Sequence, residues 1–363
     1  MPFTPTKKLQ PGQKIRVLVV DDSVVIRRLV TQALMEQPLI EVVGSASNGQ
    51  LALQRIPQLN PDVITLDVEM PEMDGLETLK NIQKKFSSLR VIMFSTLTER
   101  GAATTLEALS LGANDYVTKA SNSGSLDVSM ARLREELVPK IKQFFVLPTP
   151  ERPASQPVRL APTVTPMPTA LSRLFRADVV AIGVSTGGPN ALGAIFPCFP
   201  ANFPRPILIV QHMPPLFTHL LAERLSAVGK IKVEEAKEGS VVEPGKALIA
   251  PGDWHLRVKR RGTRVVTTID QGPQENSCRP SVDVLFRSVG EVWGAKTLAV
   301  ILTGMGQDGL RGMQQLKAQG AFVLAQDEAS SVVWGMPGAV VTAGLADAIV
   351  PLDQVPAEIM KRV

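Results

Sequence analysis

Short apolar runs alternate along the chain with longer stretches in which apolar residues recur at helical spacing. In the first third, residues 15–20, 41–47, 63–66, 91–94 and 116–117 are runs of strand length, with room for a helix between each pair. Five strands with intervening helices predict a doubly wound parallel sheet. Beyond them Met130, Leu133, Leu137, Ile141 and Phe144 repeat at helical spacing, a core-packing stripe. Pro139 is expected to kink or divide that helix, because proline removes a backbone donor and crowds the preceding turn.

The alternation resumes at Val179, with apolar runs at 179–184, 207–211 and 298–302 and glycine or proline at nearly every turn, so a second, mostly parallel α/β sheet is predicted. Residues 241–268 are richer in short extended pieces and predict an antiparallel hairpin at an edge of that sheet. Between Pro148 and Pro168 lie seven prolines in 21 residues, the composition of an extended linker. The expected organisation is a domain over 1–140, a linker over 141–177 and a domain over 178–363.

Composition narrows the functional classes. With 44% hydrophobic and 20% charged residues, the 363-residue chain reads as globular, and it has neither a long apolar span nor a signal-peptide pattern, so a cytoplasmic location is expected. Two cysteines, Cys198 and Cys278, lack the paired spacing of a zinc site or a disulfide framework. The net charge of +5 arises mostly in the linker, where residues 141–177 carry 5 basic and 1 acidic side chains against 16 and 16 before them and 18 and 17 after. Nucleic-acid binding is therefore not expected. A basic cluster of Arg257, Lys259, Arg260, Arg261 and Arg264 around Gly262 reads as a solvated hairpin tip.

In an open parallel sheet, the loops at the carboxyl ends of the strands share one rim, where ligands bind. In the first domain Asp21 and Asp22 follow the first strand, Asp67 the third, Ser95 the fourth and Lys119 the fifth. Clustered carboxylates repel, and a Mg²⁺ ion with Lys119 beside it would relieve them. Singly, Asp22-Ser23 could cap a helix and Lys119 could be a surface lysine; the joint placement, with Glu69-Met70-Pro71 and Met73-Asp74-Gly75 behind Asp67, argues for a site. Here the chain resembles the response-regulator receiver family, of flavodoxin-like fold. The resemblance implies phosphorylation of Asp67 by a histidine kinase, with Mg²⁺ held by Asp22, Asp67 and the backbone carbonyl of Glu69, and Asp21 supporting it through water. It also implies that Ser95 and Tyr116 are switch residues beside Lys119. Ala120 departs from the family's usual proline.

In the second domain Ser185, His212 and Asp308 each follow a strand-like run, supplying a hydroxyl, an imidazole and a carboxylate in nucleophile, base and orienter roles. Each also has a structural reading, as a helix cap, a strand-end histidine and a loop carboxylate. Gly183-Val184-Ser185-Thr186-Gly187 fits the nucleophile-elbow pattern, but an α/β-hydrolase needs its histidine late in the chain, and none follows Asp308. His255 beside Asp253 is the rival base; His219 reads as packing or surface. A phosphate-binding loop at Ser185 would lack its lysine.

Ser185-Thr186-Gly187-Gly188-Pro189, Gln211-His212-Met213-Pro214 and the segment from Thr303 to Gly309, with Arg279-Pro280-Ser281-Val282-Asp283 and the domain before them, resemble the chemotaxis protein-glutamate methylesterase family, CheB. That resemblance implies hydrolysis of receptor glutamate methyl esters and deamidation of receptor glutamines at Ser185, His212 and Asp308, with no cofactor needed for ester hydrolysis. Thr186 would hydrogen-bond near the histidine, and the Met305 N–H would help hold the oxyanion. The implied partners are methyl-accepting chemoreceptors as substrate and a chemotaxis histidine kinase as phosphodonor. The protein would act at receptor arrays without being integral to the membrane, its N-terminal domain blocking the serine rim until Asp67 is phosphorylated. Cys278, where the family has histidine, is expected to bear on substrate contacts. The rival class is a response regulator with a DNA-binding output, usually a small basic helical module, against a long, strand-rich and nearly neutral region here.

Overall fold

A computed structural model of the chain describes residues 7–119, 126–146 and 175–363. The Pro148 to Pro168 segment and Ala120 lie outside the described residues.

The first sheet is built from β1 (Ile15–Val20), β2 (Ile40–Ala46), β3 (Val63–Asp67), β4 (Arg90–Ser95) and β5 (Asp115–Thr118), paired in parallel in the order β2-β1-β3-β4-β5. Helices α1 (Val24–Met35), α2 (Gly49–Leu59), α3 (Gly75–Lys85), α4 (Glu99–Ser110) and α5 (Leu126–Lys142) connect and flank them. The first four helices begin at side-chain caps, with Ser23, Asn48, Asp74 and Thr98 accepting from backbone N–H groups of the first turn. Asp67 and Ser95 are the last residues of their strands rather than the residues after them. Helix α5 continues through Pro139, so of the expected kink or division the division does not occur. Ile141 and Phe144 stay in the core, and residues 145–146 pair in parallel with 7–8, so ordered structure of the first domain continues to Val146.

The second sheet has seven strands: β6 (Val179–Val184), β7 (Ile207–Gln211), β8 (Lys232–Glu235), β9 (Lys246–Ile249), β12 (Thr297–Ile301), β13 (Phe322–Gln326) and β14 (Ala348–Val350). All pairings are parallel, in the order β8-β9-β7-β6-β12-β13-β14. The intervening β10 (His255–Arg261) and β11 (Arg264–Asp270) pair antiparallel as expected, but as a separate two-stranded sheet and not at an edge of the main one, and β9, within the stretch expected to be hairpin, is an interior parallel strand. Leu256, Val258 and Val265 of the hairpin join the core beneath α8 (Val282–Trp293). The other helices are α6 (Gly188–Ile195), α7 (Phe217–Val228), α9 (Leu310–Ala318), α10 (Met336–Thr342) and α11 (Val355–Met360). Strand β6 enters at the centre; the chain winds outward through β7, returns to β12 on the other side of β6 and winds outward again. The carboxyl ends of β6, β7 and β12 therefore meet at the reversal of winding, where open α/β sheets form their ligand crevice.

No described helix is long and apolar enough to cross a membrane.

Candidate functional site

Gly187 lets the chain leave β6 and turn at once into α6. Its φ of 78° is the left-handed conformation glycine tolerates, and a Cβ there would lie 2.6 Å from the Val332 side chain. Ser185 is thereby held at the strand end, lining a cavity of about 570 Å³ with His212, Met305 and Asp308.

His212 Nε2 lies 2.8 Å from Asp308 Oδ2. Asp308 is 2% exposed and its carboxylate is saturated with donors: Oδ2 also accepts from the Val282 N–H at 2.7 Å, and Oδ1 from the Ser281 hydroxyl and Asn276 Nδ2, both at 2.8 Å, and from the N–H groups of Asp283 and Gly309. Burial opposes its ionisation, but the His212 hydrogen bond and charge, then Val282 and Ser281, outweigh it and hold its pKa at about 2. Burial likewise pulls the His212 pKa down, and its hydrogen bonds with Asp308 and Cys278 outweigh that, so the pKa is raised. An ionised carboxylate thus fixes one ring nitrogen and favours the imidazolium.

The other ring nitrogen, Nδ1, faces the Cys278 thiol at 3.6 Å. Among the described residues no hydrogen bond joins the Ser185 hydroxyl to His212; the two share the cavity. Cys278, expected to bear on substrate contacts, lines the cavity and also touches the imidazole. The segment carrying it is pinned by Arg279, whose guanidinium pairs with Asp253 at 2.7 Å. Asn276 joins Asp308 to the buried Asp283, a contact the sequence reading missed because nothing in the spacing marks an asparagine that bridges two carboxylates.

His255 is unsuited to the base role. It is 1% exposed, and both ring nitrogens are engaged, Nδ1 by the Ser281 N–H and Nε2 by the Pro273 carbonyl. His219 is a surface residue paired with Glu223. The Met305 N–H borders the cavity with no acceptor among the described residues.

Thr186 departs from expectation. Its hydroxyl does not approach the histidine; it lies 3.2 Å from Asp115 Oδ2 and 3.1 Å from Gln143 Oε1, both in the N-terminal domain. The reason is that this domain covers the serine rim. Tyr116 stacks on Phe217 of α7 with ring centroids 4.9 Å apart and planes 7° from parallel. Asn190 Nδ2 donates to the Leu109 carbonyl at 2.6 Å, and Arg224 Nη1 donates to the Leu106 carbonyl. Asp115, Tyr116, Lys140 and Gln143 form one wall of the Ser185 cavity.

On the far rim of the first sheet, Asp21, Asp22 and Asp67 bring carboxylate oxygens within 4.8 Å of one another, Asp21 and Asp67 buried and Asp22 exposed. Lys119 Nζ lies 2.7 Å from Asp67 Oδ2 and 2.9 Å from Asp21 Oδ2. Burial, then the Asp21 charge, raise the Asp67 pKa to about 6 despite Lys119. Gly75 permits α3 to start against this strand end, since a Cβ there would lie 2.2 Å from the Asp67 carbonyl. A cavity of about 200 Å³ bordered by Asp22, Asp67, Glu69 and Lys119 opens to the surface. Ser95 is fully buried, its hydroxyl donating to the Gly101 carbonyl at 3.0 Å. Three carboxylates against one ammonium, with a raised Asp67 pKa, fit a divalent cation that takes hard oxygen ligands.

A family model described as CheB methylesterase matches residues 180–359, and one described as response regulator receiver domain matches residues 17–130. A protein-glutamate methylesterase/protein-glutamine glutaminase of Trichodesmium erythraeum is 52% identical over 354 residues, covering 96% of this chain and 99% of that protein. The protein of the same description in Pyrococcus abyssi is 42% identical over 354 residues, covering 97% of this chain and 94% of its own. The catalytic domain of the Thermotoga maritima CheB methylesterase, known from a crystal structure, is 44% identical, covers 51% of this chain and 98% of that one, and has a TM-score of 0.50.

Proposed function

The chain belongs to the CheB methylesterase family, a protein-glutamate methylesterase and glutaminase under a receiver domain, and from that premise we propose that Ser185, His212 and Asp308 are its catalytic residues and that docking of the receiver holds them inactive. The observation that carries the catalytic assignment is the Asp308-anchored imidazole, 2.8 Å from its carboxylate, sharing a cavity with Ser185 at the sheet's winding reversal.

The Ser185 hydroxyl oxygen attacks the carbonyl carbon of a receptor glutamate methyl ester while its proton passes to His212 Nδ1. Nδ1 takes this role because Nε2 is committed to Asp308. The negative charge that develops on the carbonyl oxygen is held by the Met305 N–H, and a preorganised donor of this kind contributes about 3 kcal/mol. Collapse breaks the carbon–oxygen bond to methanol, which leaves with the proton from His212. Water then repeats the sequence on the acyl-enzyme, returning the glutamate carboxylate and free Ser185. With a glutamine side chain, ammonia leaves in place of methanol.

Asp67 is the phosphoryl acceptor. Mg²⁺ held by Asp22, Asp67 and the Glu69 carbonyl, with Asp21 behind, would supply charge neutralisation there when bound, and Lys119 adds a fixed positive charge. Ser95 and Tyr116 carry the change outward. Tyr116 is the switch position and also the ring stacked on Phe217, and its neighbour Asp115 engages Thr186, the residue after the nucleophile. Movement of Tyr116 on phosphorylation therefore withdraws contacts from the serine loop, exposes the rim to receptor segments and lets Ser185 meet His212 Nδ1.

Methanol release from methylated receptor by Ser185→Ala tests the catalytic assignment, with loss of turnover expected and retained turnover rejecting it. The chemoreceptor and the chemotaxis histidine kinase are the partners this reading requires.

A further inference from the structure

His212 Nδ1 and Cys278 Sγ are 3.6 Å apart and both border the open cavity. A zinc ion bonded to sulfur at about 2.3 Å and to nitrogen at about 2.0–2.1 Å, with a tetrahedral angle between them, places those two atoms about 3.6 Å apart. A metal-bound histidine commonly gives its other ring nitrogen to a carboxylate, which fixes the ring and strengthens the ligand. His212 Nε2 already has that partner in Asp308 at 2.8 Å.

Asp308 also lies within 4.8 Å of both atoms, yet it is not a third ligand. Its oxygens are occupied by five other donors, and it sits across the ring from Nδ1. Its part is the outer partner. The remaining coordination positions face the cavity, where water completes them.

We propose that Cys278 and His212 form an inhibitory site for a thiophilic divalent cation, of which Zn²⁺ is the type. On binding, the thiol proton and the Nδ1 proton of the imidazolium pass to solvent, metal–sulfur and metal–nitrogen bonds form, and the hydrated ion sheds the waters they replace; no electron is transferred. The Nδ1 lone pair is consumed, so it no longer accepts the Ser185 proton and turnover stops. The binding claim stands on geometry alone, whereas the inhibitory consequence rests on the assignment of His212 as base made above.

The test uses the full chain carrying Cys198→Ser and His219→Gln, which remove the exposed thiol and the surface His219–Glu223 pair as competing sites. Titration with Co²⁺ is expected to produce a thiolate-to-metal charge-transfer band in the near ultraviolet at one equivalent, abolished by adding Cys278→Ala. No band, or a band that survives Cys278→Ala, overturns the site. Zn²⁺ is expected to suppress methanol release by the phosphodonor-treated protein, with recovery on adding EDTA equimolar to the zinc while Mg²⁺ stays in large excess. The Cys278→Ala variant, normalised to its own uninhibited rate, should need at least tenfold more zinc for half inhibition; equal sensitivity overturns the proposal. A Cys278-dependent band with zinc-insensitive turnover overturns the inhibitory role and counts against Nδ1 as the base, separating the two failures.

Discussion

Arg224→Ala should switch the enzyme partly on without phosphorylation. Arg224 lies in α7, half-buried, and its guanidinium donates to the Leu106 carbonyl at the end of α4, across the domain contact. A hydrogen bond with one charged partner is worth about 1.5–3 kcal/mol, and partial exposure lowers this to about 1–2 kcal/mol. At 1.4 kcal/mol per factor of ten, the docking constant falls by about 5- to 30-fold. Where docking closes most molecules, basal turnover equals the undocked fraction and rises by that same factor, capped at the rate of residues 178–363 alone. The assay is the initial rate of methanol release from methylated receptor membranes, with and without a small phosphodonor. The variant's basal rate should rise while its phosphodonor-treated rate stays at the wild-type level, so that the gain on phosphorylation shrinks by the factor by which the basal rate grew. A folded Arg224→Ala protein with an unaltered basal rate would refute the docking argument. A drop in both rates would place Arg224 in catalysis instead.

Asp67→Asn should leave basal methanol release intact and erase its increase with phosphodonor; activation that survives in this variant rejects Asp67 as the acceptor. Asp308→Asn should lower kcat by about 10⁴-fold if it fixes the His212 tautomer as such carboxylates do, with KM for methylated receptor little changed, and a loss below tenfold would count against it. Thr186→Val keeps the side-chain shape and removes the hydroxyl shared with Asp115 and Gln143, so basal turnover should rise about 2- to 10-fold by loss of one hydrogen bond; a fall would mean that Thr186 serves the reaction directly. The metal-free Asp67 carboxyl, its pKa raised to about 6, must give up its proton to bind a cation, so the Mg²⁺ affinity of the receiver should weaken as pH falls through about 6; a Mg²⁺ titration that shows no such weakening contradicts this. The stability effect of the raised pKa has the opposite sign: the folded state binds the proton more tightly than the unfolded chain, so metal-free stability falls as pH rises from about 4 past 6. Urea midpoints at pH 5 and pH 7.5, without and with Mg²⁺, check this, and a metal-free midpoint that rises over the interval contradicts it.

The first sheet and the three central strands of the second were legible because they are buried on two faces and read as unbroken apolar runs, whereas β8, β9, β13 and β14 were not marked out. The strand ends were legible to within a residue, enough to place Ser185, His212, Asp308 and Asp67 on their rims. Side-chain direction was not. Asp308 was expected behind His212 and lies there, but the path of residues 274–279, which aims Cys278 at Nδ1 and Asn276 at Asp308, depends on the left-handed backbone of Asn276 and Ser277 and the Arg279–Asp253 pair. No periodicity encodes these. The Thr186 expectation failed for a related reason. Its hydroxyl is claimed by Asp115, 71 positions away in another domain, and pattern reading within one sheet carries no information on which face another sheet will cover. Pro139 does not end α5, and Leu137 and Ile141 on either side of it stay buried, so tertiary packing carries the helix through the proline.

The placement of Tyr116 carries a thermodynamic consequence. Phosphorylation shifts the docking equilibrium only by the difference in free energy it makes between docked and free states. A signal confined to the Asp67 rim would shift nothing, however stable the phosphorylated form. On the activation proposed above, Tyr116 would make the contribution differential, because the switch position is also the ring stacked on Phe217, while Asp115 ties the same strand to Thr186 beside Ser185. Loss of the stack removes about 0.5–1.5 kcal/mol beyond the area uncovered, and the Thr186 contact adds about 1 kcal/mol. Together these give about a 10- to 70-fold shift. Linkage then runs both ways: whatever pulls the receiver off the serine rim also favours phosphorylation of Asp67 by the same factor. Methylated receptor bound at the Ser185 cavity should therefore tighten the affinity of the receiver for a stable phosphoryl mimic such as beryllofluoride by that factor, and an affinity unchanged by receptor would refute the coupling.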